Sequence, residues 1–284
     1  MKLDKNLKIL IVGLGLMGGS YARGLSKKGF SVKAIDINEE SIEFAKKNKI
    51  IEDGFTYADE DALKESDIVI FALYPHIFLD WVKTNQHLFK SGAILTDVTG
   101  VKTCVVYDIQ KILREDVEFI SAHPMAGREV YGVENSDEKI FKDANYIIVP
   151  TDDNSANAIE VCKAIGQTLD FARISSLPPK AHDEMIGFVS QLTHCIAICL
   201  MTCSNSEHLV DYTGDSFRDL TRIARINENM WSELFLLNKD VLLSQMDKFR
   251  KEFDVFYDIL EKGDEEIIKE KMRQSTARRE LFNK

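Results

Sequence analysis

The chain has 284 residues, 45% of them hydrophobic and 29% charged, and a formal net charge of −10. That length supports about two domains, and the composition is that of an ordinary globular protein rather than a disordered one. Such acidity argues against nucleic acid or an anionic membrane as partner, because both reward a basic surface. No run approaches the roughly 20 apolar residues of a spanning helix and the start carries no signal-type stretch, so a cytoplasmic protein without a membrane partner is expected. Five cysteines with no CxxC pair fit reduced thiols better than a disulfide framework.

In chain order, short apolar runs rich in Val and Ile alternate with helical segments. Strands are predicted at 8–12, 31–35, 68–73, 93–98, 118–122 and 146–149, with a weaker one at 169–174. Their unbroken apolar character is that of parallel strands covered on both faces, and the alternation predicts an α/β fold with a doubly wound parallel sheet. The pattern changes at Pro178-Pro179, where proline favours a helix start. Beyond it, helices are predicted at 180–203, 215–225, 228–260 and 265–282. Residues 1–176 therefore read as one domain and 177–284 as an all-α domain, whose apolar helices predict burial against a second copy in a homodimer.

The first strand runs into Gly13-Leu14-Gly15-Leu16-Met17-Gly18-Gly19-Ser20, followed by a helix from Ser20 to Lys28. In this Rossmann-type fingerprint Gly13 allows the tight turn, Gly15 lets a pyrophosphate approach bare backbone, and Gly18 lets helix and strand pack closely. The helix N-terminus around Leu16 and Met17 then offers unsatisfied N–H groups and positive dipole to the phosphates. Asp36 ends the second strand, 18 residues past Gly18. A carboxylate there accepts hydrogen bonds from the adenine ribose hydroxyls and repels a 2′-phosphate, which selects NAD over NADP; the competing reading is an N-cap for the next helix.

Ser121-Ala122-His123-Pro124-Met125-Ala126-Gly127 follows the strand residues Glu118-Phe119-Ile120. His123 thus stands at the carboxyl end of a strand, where ligands of doubly wound sheets bind, with Pro and Gly after it to aim the ring. Arg218, Arg222 and Arg225 fall at i, i+4 and i+7 and share a helical face, either as a site for a small dianion or as a solvated face paired to Asp215 and Asp219. His182, Gln191 and His194 lie on the long helix after the prolines, Gln191 and His194 facing one way. Cys195, Cys199 and Cys203 recur every four residues and read as buried thiols on an apolar stripe, not as a metal site.

Taken together, GLGLMGGS at 13–20, Asp97 to Lys102 in TDVTGVK, SAHPMAG at 121–127 with Glu129, the helix from His182-Asp183 to His194, and FRDLTRIA at 217–224 resemble the prephenate dehydrogenase family. The resemblance implies an NAD domain, a helical dimerisation domain, and oxidative decarboxylation of prephenate to 4-hydroxyphenylpyruvate in tyrosine biosynthesis, with no metal. It implies that His123 accepts a hydrogen bond from the ring hydroxyl and that Ser121 orients both the histidine and the nicotinamide. Arg222 would bind a substrate carboxylate beside Arg218, with Glu129, His194 and Gln191 lining the pocket and its mouth. Asp97 and Lys102 would stand at the cofactor, and tyrosine would be a possible feedback ligand. Gly100 stands where the family often has Ser, and Gln191 where many members have His. Arogenate as substrate, a 3-hydroxyacid dehydrogenase or imine reductase of the same plan, and a non-catalytic NAD-sensing regulator are the other readings.

Overall fold

The computed structural model describes residues 3–283. The chain runs β1 (Lys8–Val12), α1 (Leu16–Lys27), β2 (Ser31–Ile35), α2 (Glu39–Lys47), β3 (Asp53–Phe55), α3 (Glu60–Glu65), β4 (Ile68–Phe71), α4 (Pro75–Asn85), β5 (Ile94–Asp97) and α5 (Thr103–Ile112). It continues with β6 (Glu118–Phe119), β7 (Ser121–Pro124), β8 (Asn145–Val149), α6 (Ala156–Thr168) and β9 (Arg173–Ser176). Six strands form a parallel sheet in the order β3-β2-β1-β4-β5-β6. Strand order reverses at β1, which places a crevice at its carboxyl end.

Alternate residues explain why both faces are covered. Ile9, Ile11, Ile68 and Ile70 pack with Tyr21 and Leu25 of α1 on one face. Leu10, Val12, Val69 and Phe71 meet Phe78 and Val82 of α4 and Val106 and Ile109 of α5 on the other. Each such aliphatic side chain, fully buried, contributes about 1.5–3 kcal/mol.

Two expectations change here. The predicted strand at 118–122 is two strands in two sheets: β6 pairs with β5, whereas β7 pairs antiparallel with β8, which pairs parallel with β9. The break falls at Ile120, whose N–H still bonds Leu95 of the parallel sheet. Past it, the Asp97 carboxylate takes up the Ala122 N–H at 3.3 Å and the chain turns away. The weak strand expected at 169–174 forms at Arg173–Ser176, and β3 is an edge strand of three residues too short to leave a pattern.

The remainder is helical: α7 (Pro179–Ile186), α8 (Thr193–Thr202), α9 (Leu209–Tyr212), α10 (Asp215–Thr221), α11 (Glu228–Leu237), α12 (Lys239–Lys262) and α13 (Glu265–Glu280). Proline at its first position starts α7, and a single wide π-helical turn over Gly187–Leu192 joins it to α8. The combined helix Pro179–Thr202 has 24 residues and contains an 18-residue stretch with a mean hydropathy of 1.6, long and apolar enough by those measures to cross a membrane. This corrects the expectation that no run approaches that length: Ser190, Gln191, Thr193 and His194 interrupt the apolar letters without adding charge. The predicted helix at 228–260 breaks at Asn238, which is buried and donates its amide to the carbonyl of Asp183 and to Gln191 Oε1. Compactness divides the chain at this same residue, into a unit ending at Asn238 and a helical unit beginning at Lys239. Of the cysteine stripe, Cys195 is half-buried while Cys199 and Cys203 are exposed, which corrects the expectation of buried thiols.

Candidate active site

The glycine loop meets the three demands made of it. Gly13 sits at φ +97°, and a Cβ there would stand 2.5 Å from the carbonyl oxygen of Ala72. A Cβ on Gly18 would fall 1.8 Å from the carbonyl oxygen of Gly13, so only glycine lets α1 start this close to β1. At Gly15 a Cβ would meet nothing of the chain within 4 Å, so what a side chain would obstruct there is the open approach to the backbone. No acidic residue lies in the first turn of α1, leaving its positive end unopposed. Asp36 accepts from the Leu14 N–H at 2.5 Å and from the Asn38 N–H at 2.8 Å. It is not the helix cap: Asn38 caps α2 by accepting from Ser41 N.

His123 lies within β7, not at the end of a strand, and is half-buried. The turn after it does not aim the ring; another imidazole does. His123 Nδ1 is 2.9 Å from His182 Nε2, and His182 Nδ1 is 2.8 Å from Asp183 Oδ1. Asp183, on α7, is buried against the start of α5, where it also accepts the backbone N–H groups of Lys102 at 2.9 Å and Thr103 at 2.8 Å. Burial opposes this carboxylate, but hydrogen bonds from His182 and Thr103 outweigh it and hold its pKa below the ordinary value. An ionised Asp183 can only accept, so His182 donates from Nδ1 and accepts at Nε2, and His123 donates from Nδ1. The Nε2 lone pair of His123 is left as an acceptor. Burial, then the neighbouring His182 and Lys102, push the His123 pKa well below its ordinary value; burial also lowers His182 against the pull of Asp183.

Ser121 is fully buried and donates to Asp97 Oδ1 at 2.5 Å. Asp97 and Lys102, expected at the cofactor, are instead fully buried against each other, with 2.8 Å between Nζ and Oδ2. A second group forms around the segment after β7. Arg222 pairs with Glu129, and the charges of both reach the His194 ring. That ring donates its Nδ1–H to the Ser190 carbonyl oxygen at 2.8 Å and lies over Trp231, 3.6 Å between centroids at 30°. Burial lowers its pKa, opposed by the Ser190 carbonyl.

The arginine face of the sequence does not survive. Because α10 ends at Thr221, Arg222 lies in a 3-10 turn and Arg225 beyond it in extended backbone. Arg218 donates to Thr213 O and to Asp215, whereas Arg222 pairs with Glu129. Gln191 is buried, donating to Leu234 O at 2.9 Å and accepting from Asn238, so its amide is committed to packing α11. Sequence reading left His182 and Asp183 without a role. The signal was present: an adjacent His-Asp pair in the first turns of a helix that a double proline starts. Among the described residues no cluster of His, Cys, Asp and Glu could hold a metal.

Fold and glycine loop together define the class, a dinucleotide-dependent oxidoreductase. Comparison with known proteins narrows that class. The family model "Prephenate dehydrogenase, nucleotide-binding domain" matches residues 21–172, and "Prephenate dehydrogenase, dimerization domain" matches 178–274. A prephenate dehydrogenase of Bacillus subtilis (strain 168) is 32% identical over 92% of this chain and 72% of its own length. One from Lactococcus lactis subsp. cremoris (strain MG1363) is 31% identical over 92% and 73%. The crystal structure of prephenate dehydrogenase from A. aeolicus, in complex with hydroxyphenyl propionate and NAD+, superposes with a TM-score of 0.89 at 29% identity, covering 99% of this chain and all of that one. The chain belongs to the prephenate dehydrogenase family.

Proposed function

We propose that this protein is an NAD-dependent prephenate dehydrogenase, converting prephenate to 4-hydroxyphenylpyruvate and CO₂ in tyrosine biosynthesis. The observation that carries the reading is the Asp183–His182–His123 relay, which leaves a neutral imidazole with a free acceptor nitrogen on β7. The loop from Gly13 to Gly18, the first turn of α1 and Asp36 suit the pyrophosphate and ribose of NAD, because bare backbone, dipole and carboxylate stand in that order. When bound, NAD supplies the hydride acceptor.

As hydride leaves the ring carbon bearing the hydroxyl, positive character builds there, and His123 Nε2 accepts a stronger hydrogen bond from that hydroxyl. The C–CO₂ bond breaks, its electron pair enters the ring, and the aromatic phenol forms; the hydroxyl proton ends on the product, so His123 returns whatever it takes. Arg222 exchanges Glu129 for a substrate carboxylate, a substitution that costs little because the Arg222–Glu129 pair is largely exposed. Its planar fork suits a carboxylate in bidentate fashion. Ser121 and Arg218 complete the reading as orienting and outer basic residues, and Glu129, His194 and Gln191 as the pocket wall.

The domain division at 176/177, a homodimer formed through the helical part, and a cytoplasmic setting belong to the same proposal. Five free cysteines support a reducing compartment. Appearance of NADH is the test, with prephenate and arogenate each offered with NAD and with NADP, and tyrosine added to probe inhibition. Turnover of prephenate with NAD is the expected result. No turnover of either substrate would leave a cofactor-binding regulator, and exclusive use of arogenate would reassign the substrate.

A further inference from the structure

Lys102 stands where two supports of the reactive imidazole converge. Its side chain is fully buried, and its ammonium has three N–H groups and three acceptors: Asp97 Oδ2 at 2.8 Å, Thr99 Oγ1 at 3.1 Å and the carbonyl oxygen of Ala122 at 2.7 Å. That carbonyl belongs to the peptide bond that carries His123. The backbone N–H of the same residue donates to Asp183 Oδ1, at the far end of the imidazole relay. Asp97, in turn, holds Ser121 Oγ and the Ala122 N–H with its other oxygen. With every donor spent inside the protein, the ammonium has none to offer a nucleotide.

We infer that Lys102 is a positioning residue for His123, fixing the backbone beneath the ring with its side chain and the Asp183 end of the relay with its own N–H, and that it is not a cofactor ligand. This deepens the reading of His123 as the acceptor and rests on it. The buried positive charge has a second consequence. The titratable groups that act on His123 are Lys102, from the β5–α5 connection, and His182 of α7, behind which Asp183 of α7 and Asp97 at the end of β5 act on His182; across on β8 its partner is Ile147, which is uncharged. Among these, Lys102 opposes imidazolium formation at both histidines. The ammonium therefore adds to burial and His182 in keeping the ring neutral, besides placing it.

Two variants of the full chain test this, Lys102→Met and the charge-neutral double variant Lys102→Met with Asp97→Asn. The double variant removes the whole buried pair and keeps the test open if the first does not fold. In Lys102→Met, loss of a positive neighbour beside an unpaired Asp97 should raise the His123 pKa, read by NMR titration of labelled histidine, by about one unit or more. The acid limb of kcat/KM for prephenate should move up with it, and kcat should fall by about 10²-fold, the scale of a small misplacement of a reacting group. KM for NAD should stay near that of the unaltered protein. In the double variant the titration should return toward the original value while kcat remains low. An unmoved His123 titration with unchanged kcat in a folded variant would overturn the inference, as would a rise in KM for NAD alone. Should the protein fail to oxidise prephenate, the functional reading falls while the titration still decides the role of Lys102.

Discussion

The role proposed for His123 depends on which of its nitrogens is free, and that is set two contacts away, at Asp183. Because the acceptor bond strengthens only as hydride departs, His123→Asn should lower kcat far more than it alters KM for prephenate, by about 10²–10⁴-fold. A folded His123→Asn protein with near-normal kcat would refute the role. The pH dependence has a definite sign. Burial lowers the ring's pKa, so the neutral, competent form persists below the ordinary imidazole value of about 6.5, and activity should decline only at more acid pH. An acid limb centred above that value would contradict the observed environment. Arg222 acts on binding instead: Arg222→Ala should raise KM for prephenate strongly and leave NAD affinity intact, and lysine should rescue poorly because it lacks the bidentate fork. Unchanged KM would return this arginine to an exposed ion pair with Glu129.

Elements, rather than single residues, set cofactor choice. The β1–α1 turn and the end of β2 are held in register by five paired positions, from Lys8 opposite Ser31 to Val12 opposite Ile35. The Asp36 carboxylate reaches back from the end of β2 to the Leu14 N–H across that junction, so it shapes the loop as well as standing where the proposed reading puts the ribose. Asp36→Ala should therefore narrow the preference for NAD over NADP, by removing the repulsion toward a 2′-phosphate, and also weaken NAD binding. Kinetics with both cofactors reads the two effects separately. Better use of NADP by the unaltered protein would remove the basis for both.

For the whole molecule, the apolar surface of the helices is the governing fact. Met185, Phe188 and Val189 are exposed on the helix Pro179–Thr202, and within the unit that starts at Lys239 the helix α12 exposes Phe249, Phe253 and Tyr257. Contiguous apolar surface of this kind is normally covered in the working assembly, and both segments fall within the residues matched by the dimerization-domain model. Sedimentation at micromolar concentration should give a mass near twice 32.3 kDa. A stable monomer would leave that surface unexplained and count against the dimer.

What the sequence determined by itself was whatever local periodicity and local backbone geometry encode. Alternating apolar runs, the Gly13–Gly18 turn and Asp36 at the end of β2 each depend on neighbours a few positions away, so they were legible and the doubly wound sheet followed. Tertiary structure alone decided the partners of the polar side chains. The bond from His123 to His182 spans 59 positions, Lys102 to Asp183 spans 81, and Arg222 to Glu129 spans 93. Nothing local to Lys102 announces the three acceptors found around it in the core, and an arginine triplet reads as one helical face until the helix is seen to stop at Thr221. The split between β6 and β7 was hidden for the same reason: five consecutive β-type residues do not say which of two sheets each will join, since that choice is made by Leu95 and Asp97 on one side and β8 on the other.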